Sequence, residues 1–97
     1  MGVTLDDLRR RRHEIARIGE QFRVHNIRVF GSVVRRELEP WSDVDLLVDL
    51  MPNHSIFDRV GLVDALRQLL GTKVDVVSPD ELRDYLRDQA HAEAVPL

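Results

Sequence analysis

The alternating segment from Asp43 to Leu50 constrains the fold more than any other part of the chain. Every even position of this segment is apolar, whereas aspartate holds three of the four odd positions. Successive side chains of a strand point to opposite faces of a sheet. The pattern therefore predicts a strand with one face on the core and one face partly polar.

Helical and strand-like segments alternate along the rest of the chain. The predicted order is a helix over 5–22, a strand over 27–30, one or two helical turns over 32–37, a strand over 43–50, a helix over 56–70, a strand over 73–77 and a helix from 79 to about 92. This order, α-β-α-β-α-β-α, predicts an α/β (α+β) layer fold. We expect a small mixed three-stranded sheet flanked by about four helices.

Capping signals and apolar spacing define the helices. An N-cap residue is followed by an acidic residue three positions later at Thr4/Asp7, Ser55/Asp58 and Ser78/Glu81, and Gly71 is placed to end the second long helix. The helical period predicts three buried stripes: Leu5, Leu8, Ile15, Ile18 and Phe22; then Phe57, Val60, Val63, Leu66 and Leu70; then Leu82, Tyr85 and Leu86.

Size and composition exclude several classes of protein. With 97 residues, we expect a single domain over 1–97. The absence of cysteine excludes disulfides, iron–sulfur clusters and cysteine-based zinc sites. No apolar run is long enough to cross a bilayer and no secretory signal is recognisable, so a cytoplasmic location is expected. The net charge of −3, from 14 basic and 17 acidic residues, argues against a cationic nucleic-acid-binding surface.

Asp43 and Asp45 form a candidate metal-binding pair. Residues two apart in a strand share a face, with side chains about 7 Å apart. Without a cation the two carboxylates would repel and one would resist ionisation. Magnesium prefers a few carboxylates together with substrate phosphates. The pair therefore indicates a magnesium-dependent reaction on a phosphate compound.

Gly31 and Ser32 form a candidate phosphate-binding turn. A glycine at the end of a strand permits a tight turn and close approach of a ligand to the backbone. The serine hydroxyl and the free N–H groups of the next helical turn suit phosphate oxygens. If this turn lies near Asp43, the first two strands must be antiparallel.

Asp75 is the candidate third carboxylate. It lies near the start of its strand, as Asp43 and Asp45 do, so we expect these two strands to be parallel. The helix over 56–70 supplies the right-handed crossover that a parallel pair requires. A third carboxylate on the neighbouring strand could complete a site for two metal ions.

These residues match a known family signature. Gly31-Ser32, ten intervening residues and Asp43-Val44-Asp45 match the GS-x10-DxD pattern of the DNA polymerase β-like nucleotidyltransferase superfamily. The segments over 31–37 and 42–48 resemble the minimal nucleotidyltransferases, the MNT antitoxins, and the resemblance extends over about 27–78. The chain departs from the family at Arg36, where a glycine is usual.

The resemblance implies a nucleotidyltransferase palm and a set of roles. Asp43 and Asp45 would bind Mg²⁺ and the phosphates of ATP, and Asp75 would bind the catalytic ion and help to deprotonate the acceptor hydroxyl. Gly31 and Ser32 would hold the β- and γ-phosphates, and Arg35 is a further candidate contact to the nucleotide. Two Mg²⁺ ions and ATP are the implied cofactor and substrate.

The resemblance also implies a protein partner. Family members neutralise HEPN-domain ribonuclease toxins by adenylylating a tyrosine, by binding, or by both, so a hetero-oligomer with such a toxin is expected. One alternative is an antitoxin that only binds, with a vestigial nucleotide site. Another is a nucleic-acid-binding regulator that uses the basic run over 9–12, which otherwise is a solvated helix face.

Two residues of the loop before the acidic pair have simpler interpretations. Trp41 either packs within the loop or anchors a partner or a base, and Ser42 is interpreted as a turn residue that fixes the loop by a side-chain hydrogen bond.

Overall fold

A computed structural model describes residues 3–37 and 43–97. The interpretations of Trp41 and Ser42 therefore lie outside the described residues. None of the helices in the described ranges is both long and apolar enough to cross a bilayer.

The described residues form five α-helices, one 3₁₀ helix and four strands. In chain order they are α1 (Leu5–Arg10), α2 (Arg12–Gln21), β1 (Val24–Phe30), α3 (Ser32–Arg35), β2 (Val44–Leu50), α4 (Ile56–Leu70), β3 (Val74–Val77), the 3₁₀ helix (Pro79–Glu81), α5 (Asp84–Glu93) and β4 (Val95–Pro96). The mixed α/β class is as predicted from the sequence. The sheet has four strands instead of three, because the short β4 pairs with the outer edge of β1.

The strand directions are those that the sequence predicted. The sheet order is β3-β2-β1-β4, with β1 and β2 antiparallel and β2 and β3 parallel. Helix α4 makes the crossover between the parallel pair. The order places β2 between β1 and β3, so the residues at the start of β2 have neighbours on both sides.

The main core lies on one face of the sheet. Fully buried side chains of β1 and β2, among them Val29, Leu46 and Val48, belong to one cluster with Leu8, Ile15 and Leu66 from the helices. At about 0.8 kcal/mol for each buried CH₂ group, such residues provide most of the stability of a small domain. The opposite face carries the aspartates of β2 and also Leu47, which is fully buried. The C-terminal segment covers part of this second face, since α5 packs on β1 and the 3₁₀ helix on β2.

The first predicted helix is two helices in the structure. The Thr4/Asp7 capping box begins α1 as predicted, but Arg11, with φ −104° and ψ 15°, interrupts the helix before α2 begins. Leu8 and Ile15 are nevertheless both buried in the same core cluster, so each helix contributes its own apolar face to the core. The apolar spacing does not reveal such a break.

The predicted buried stripe of α4 is wrong in its N-terminal half. The Ser55/Asp58 capping box and Gly71 bound the helix as predicted. However, the side chains of Phe57 and Val60 are exposed, whereas Leu62 and Leu66 are buried. A Cβ atom at Gly61 would collide with the ring of Phe22, so the missing side chain allows close contact with this ring. The arc that faces inward is therefore the one that lets Phe22 pack on Gly61.

The last predicted helix also differs. The Ser78/Glu81 capping box starts a 3₁₀ helix that ends at Glu81. The backbone is extended at Leu82, and α5 begins only at Asp84. The interruption resets the helical phase. As a result, Tyr85 is exposed rather than directed inward, Leu86 is only partly covered, with 39% of its surface exposed, and Ala90 is the buried residue of α5.

Candidate active site

An acidic row crosses the second face of the sheet at the start of β2. In the strand register Asp45 is directly opposite Asp75 on β3 and Phe30 on β1. Directly opposed residues point to the same face, with Cβ atoms about 5 Å apart. Asp43 precedes β2 by one residue and shares the face of Asp45 by strand alternation. The three predicted carboxylates therefore lie on one face at one end of two neighbouring strands.

The electrostatics of Asp45 reflect this clustering. Burial, followed by the charges of Asp75 and Asp43, raises the pKa of the Asp45 carboxyl to about 6. The nearby Arg35 acts in the opposite direction and Glu93 adds to the increase. A carboxylate surrounded by like charge is stabilised by a bound cation. The row therefore has the electrostatic character of a cation site.

The Gly31 turn packs directly against Asp45. Gly31 has φ +78° and ψ −148°, a conformation that is almost confined to glycine. A Cβ atom at this position would collide with the carboxylate of Asp45. The next residue is also joined to the acidic segment, because the hydroxyl of Ser32 donates a hydrogen bond of 3.5 Å to the carbonyl of Asp43. The predicted phosphate turn and the predicted metal ligands are thus in contact.

Arg35 ends the short helix α3 beside this turn. Its Nη1 donates to Glu93 at 2.7 Å and its Nε donates to Glu37 at 3.2 Å. These two carboxylates raise the pKa of the Arg35 guanidinium. Arg36, at the position where the family usually has glycine, adopts the left-handed conformation with φ +62°. The usual glycine is therefore explained by the backbone, and the substitution leaves the turn formed.

Glu93 is the site residue that the sequence did not reveal. It is the last residue of α5, yet its carboxylate also accepts a hydrogen bond of 3.2 Å from the N–H of Gly31. Sixty-two positions separate these two residues. No local pattern marks Glu93, because its place at the site depends on how α5 packs on the sheet.

The donor chemistry of the row fits a hard divalent cation such as Mg²⁺. All three carboxylates supply oxygen, which Mg²⁺ prefers. Within residues 3–37 and 43–97, no group of three or more His, Asp or Glu side chains is already gathered around a common point as a metal site. The fit therefore rests on the oxygen ligands and on the mutual repulsion at Asp45, and not on a pre-formed cage.

A cavity of about 220 Å³ lies beside the row. It is bounded by Gly31, Arg35, Asp45 and Glu93 on its polar side and by apolar side chains of β1 and the C-terminal segment, including Phe30, Leu82 and Leu86. A larger cavity of about 380 Å³ lies between α2, β1 and the C-terminal residues and contains none of the row. The smaller cavity is the one that the candidate site can use, because it opens onto Asp45.

Comparisons with known proteins identify relatives over most of the chain. The family model described as "Nucleotidyltransferase domain" matches residues 11–97. The protein adenylyltransferase MntA of Thermococcus cleftensis is 40% identical over 76 residues, which cover 78% of this chain and 77% of the relative. A provisionally named protein adenylyltransferase of Methanocaldococcus jannaschii is 37% identical over 67 residues, covering 69% and 72% of the two chains.

Solved structures share the fold. A provisionally named minimal nucleotidyltransferase superposes with a TM-score of 0.86 and 40% identity, covering 97% of this chain and 96% of the other. A toxin–antitoxin structure with AMP-PNP superposes with a TM-score of 0.72 at 21% identity, covering 87% of this chain and 69% of the other. At that identity the second likeness concerns the fold alone.

Proposed function

This chain belongs to the nucleotidyltransferase domain family, and we propose that it transfers AMP from ATP to a cognate HEPN ribonuclease toxin. The acceptor is a hydroxyl group of the toxin, that of a tyrosine side chain. The modification neutralises the toxin. Pyrophosphate is the second product. The reaction is Mg²⁺-dependent, and the protein acts as the antitoxin of the pair. The relatives named as protein adenylyltransferases support the reaction class.

The observation that carries the proposal is the register that sets Asp45 opposite Asp75, with the Gly31 turn packed against Asp45. Phosphoryl-type transfer depends on positioning and on neutralising charge. A site for this reaction needs carboxylates that bind metal cations, and beside them hydrogen-bond donors that bind the phosphates. Both sets of groups meet at this end of the sheet.

Each residue of the site then has a role. Asp43, Asp45 and Asp75 would hold two Mg²⁺ ions, and these ions would neutralise the triphosphate and polarise the phosphorus under attack. Gly31 and Ser32 hold the β- and γ-phosphates and Arg35 pairs with the triphosphate. Asp75 in addition accepts the proton of the acceptor hydroxyl.

The proposed toxin partner is supported by the shared fold and by the surface charge. Solved neighbours described as the toxin–antitoxin pair MntA-HepT share the fold at 19% and 22% identity. The chain has 17 acidic and 14 basic residues. Without the three aspartates of the acidic row, the two counts are equal, so the rest of the chain carries no net charge. Such a surface suits a protein partner better than a nucleic acid.

Labelled ATP tests the proposal. The chain is incubated with Mg²⁺, α-labelled ATP and the toxin encoded beside it, and the label on the toxin is followed by gel electrophoresis and mass spectrometry. Asp45→Asn and Asp75→Asn should each abolish transfer while the fold is kept. Asp49→Asn is the matched control, since Asp49 lies on the same face of β2 but pairs with Arg28 at the other end.

The alternatives give different results. Transfer that survives in both Asp45→Asn and Asp75→Asn refutes the assigned site. No transfer by the wild type, with a tight toxin complex that both variants retain, establishes the binding-only antitoxin. Binding to random duplex DNA that falls steeply with salt would instead indicate the nucleic-acid regulator.

A further inference from the structure

Glu93 occupies two donors of the proposed triphosphate site. One oxygen of its carboxylate accepts from the N–H of Gly31 at 3.2 Å, and the other accepts from Nη1 of Arg35 at 2.7 Å. Gly31 and Arg35 are two of the three residues to which the proposed function assigns the phosphates of the nucleotide. A single side chain from the end of α5 therefore bridges both groups.

A carboxylate and a phosphate compete for donors of this kind. A carboxylate is planar and a phosphate is tetrahedral, but both present anionic oxygens that accept charge-assisted hydrogen bonds from a guanidinium and a backbone N–H. One N–H group cannot serve both anions at full strength. Glu93 also contributes to the negative field at Asp45. A triphosphate would increase that negative charge, so the two anions are mutually unfavourable at the site.

We propose that Glu93 is an internal competitor of the nucleotide phosphates and that it sets the affinity of this site for nucleotide. The inference rests on the proposed function, because it assigns the displaced donors to the triphosphate. In the free protein Glu93 satisfies Gly31 and Arg35. When nucleotide binds, the carboxylate rotates away and these two donors turn to the phosphates.

The local structure permits this exchange without unfolding. The side chain of Glu93 is 21% exposed and that of Arg35 is 42% exposed, so the contact borders solvent on one side. The backbone around Glu93 is held separately. The N–H of Ala94 donates to Ala90 at 2.8 Å, and β4 pairs with β1. Only the side-chain torsions of Glu93 need to change.

A purely structural role predicts a different outcome. If Glu93 served to hold Arg35 in place for the nucleotide, its removal would weaken nucleotide binding. If it only tied α5 to the Gly31 turn, its removal would lower thermal stability and leave affinity unchanged. Competition alone predicts tighter binding after the negative charge is removed.

Titration calorimetry with Mg²⁺ and AMP-PNP distinguishes these cases. Glu93→Gln keeps the shape of the side chain and removes its charge. We expect AMP-PNP to bind this variant about threefold to tenfold more tightly, the effect of losing one partly exposed ion pair and its hydrogen bond. Asp88→Asn is the matched control, because it removes one charge from an exposed position of the same helix. Its affinity should stay within about twofold of the wild type.

A second background tests the mechanism. In the Arg35→Gln variant, Glu93 has already lost its contact with the guanidinium. Adding Glu93→Gln to this variant should therefore increase the affinity for AMP-PNP by less than it does in the wild type. If Glu93→Gln does not fold, Glu93→Asp provides the same test. It keeps the charge but withdraws the carboxylate by one methylene group, and it should also tighten binding.

The possible failures separate the two proposals. Unchanged or weaker binding by folded Glu93→Gln, with binding by the wild type intact, overturns the competitor role and leaves the proposed function standing. Absence of AMP-PNP binding by every variant and by the wild type overturns the proposed function and this inference together. A gain of equal size in Asp88→Asn also refutes competition, because the effect would then be one of net charge.

Discussion

Replacing Gly31 by alanine should damage both stability and the site, and a second glycine provides the control. Gly31 and Gly71 both have positive φ, at +78° and +67°. Their surroundings differ. A Cβ atom at Gly31 would collide with the carboxylate of Asp45, whereas a Cβ atom at Gly71 would meet nothing within 4 Å. Comparing the two substitutions separates the backbone cost from the collision.

The expected magnitudes follow from the backbone and the collision. Gly71→Ala should cost about 1 kcal/mol, because ψ is 24° and the residue is in the left-handed helical region. Gly31→Ala should cost about 3 kcal/mol, since its ψ of −148° belongs to a region that only glycine readily adopts. For a domain of this size, each kcal/mol lowers the melting temperature by about 4–8 °C.

Calorimetry and denaturant titration measure both effects. Asp45→Ala in the Gly31→Ala background should restore part of the lost stability, about 1 kcal/mol, because the collision is removed. Gly31→Ala should also abolish nucleotide transfer, while Gly71→Ala should keep it. Equal destabilisation by the two alanines, together with no coupling between Gly31→Ala and Asp45→Ala, would refute this reasoning.

Three further predictions concern positions outside the site. Arg59 lowers the pKa of Glu81 to about 2, so the stability that Glu81 contributes is full above its ordinary pKa near 4.5 and is lost as the pH falls toward 2. The difference in unfolding free energy between the wild type and Glu81→Gln, measured by denaturant titration, should therefore disappear between these two pH values. Phe57→Ser should leave the melting temperature nearly unchanged, since Phe57 is 83% exposed, whereas Leu66→Ala should cost about 2–5 kcal/mol by creating a cavity. Similar losses of stability for both variants would show that Phe57 is buried, as the sequence predicted. Arg36→Gly should raise the free energy of unfolding by up to about 1 kcal/mol, because arginine is strained at a φ of +62° and glycine is not. The greater freedom of glycine in the unfolded chain offsets part of this gain. A fall in the melting temperature would contradict the prediction.

The elements that the sequence predicted well are those fixed by neighbouring residues. A capping box needs only two side chains three positions apart, so Thr4 with Asp7 and Ser55 with Asp58 begin their helices as predicted. The strand β2 follows from the alternation of its own residues. The strand directions were predicted by requiring that Gly31, Asp43 and Asp75 lie at one end of the sheet, and the helix over 56–70 supplies the crossover that the parallel pair needs.

Tertiary packing decided what these local patterns left open. Helix α4 is apolar on two arcs, and the buried one, with Leu62 and Leu66, accompanies the close packing of Phe22 on Gly61. The break at Arg11 and the extended residues before α5 likewise satisfy packing and not helical propensity. In each case the apolar spacing within the segment is compatible with more than one arrangement, so contacts with other segments of the chain decide which one forms.

The candidate site divides in the same way. The sequence by itself predicted that Asp43 and Asp45 share a face, that Asp75 lies near the start of a parallel strand and that Gly31 ends the strand before them, because strand period and element order determine these positions. Only the tertiary structure brought Glu93 to the N–H of Gly31 and to Arg35. The physical reason is that a contact between residues 62 positions apart depends on how α5 packs across the sheet, and no local interaction encodes that packing.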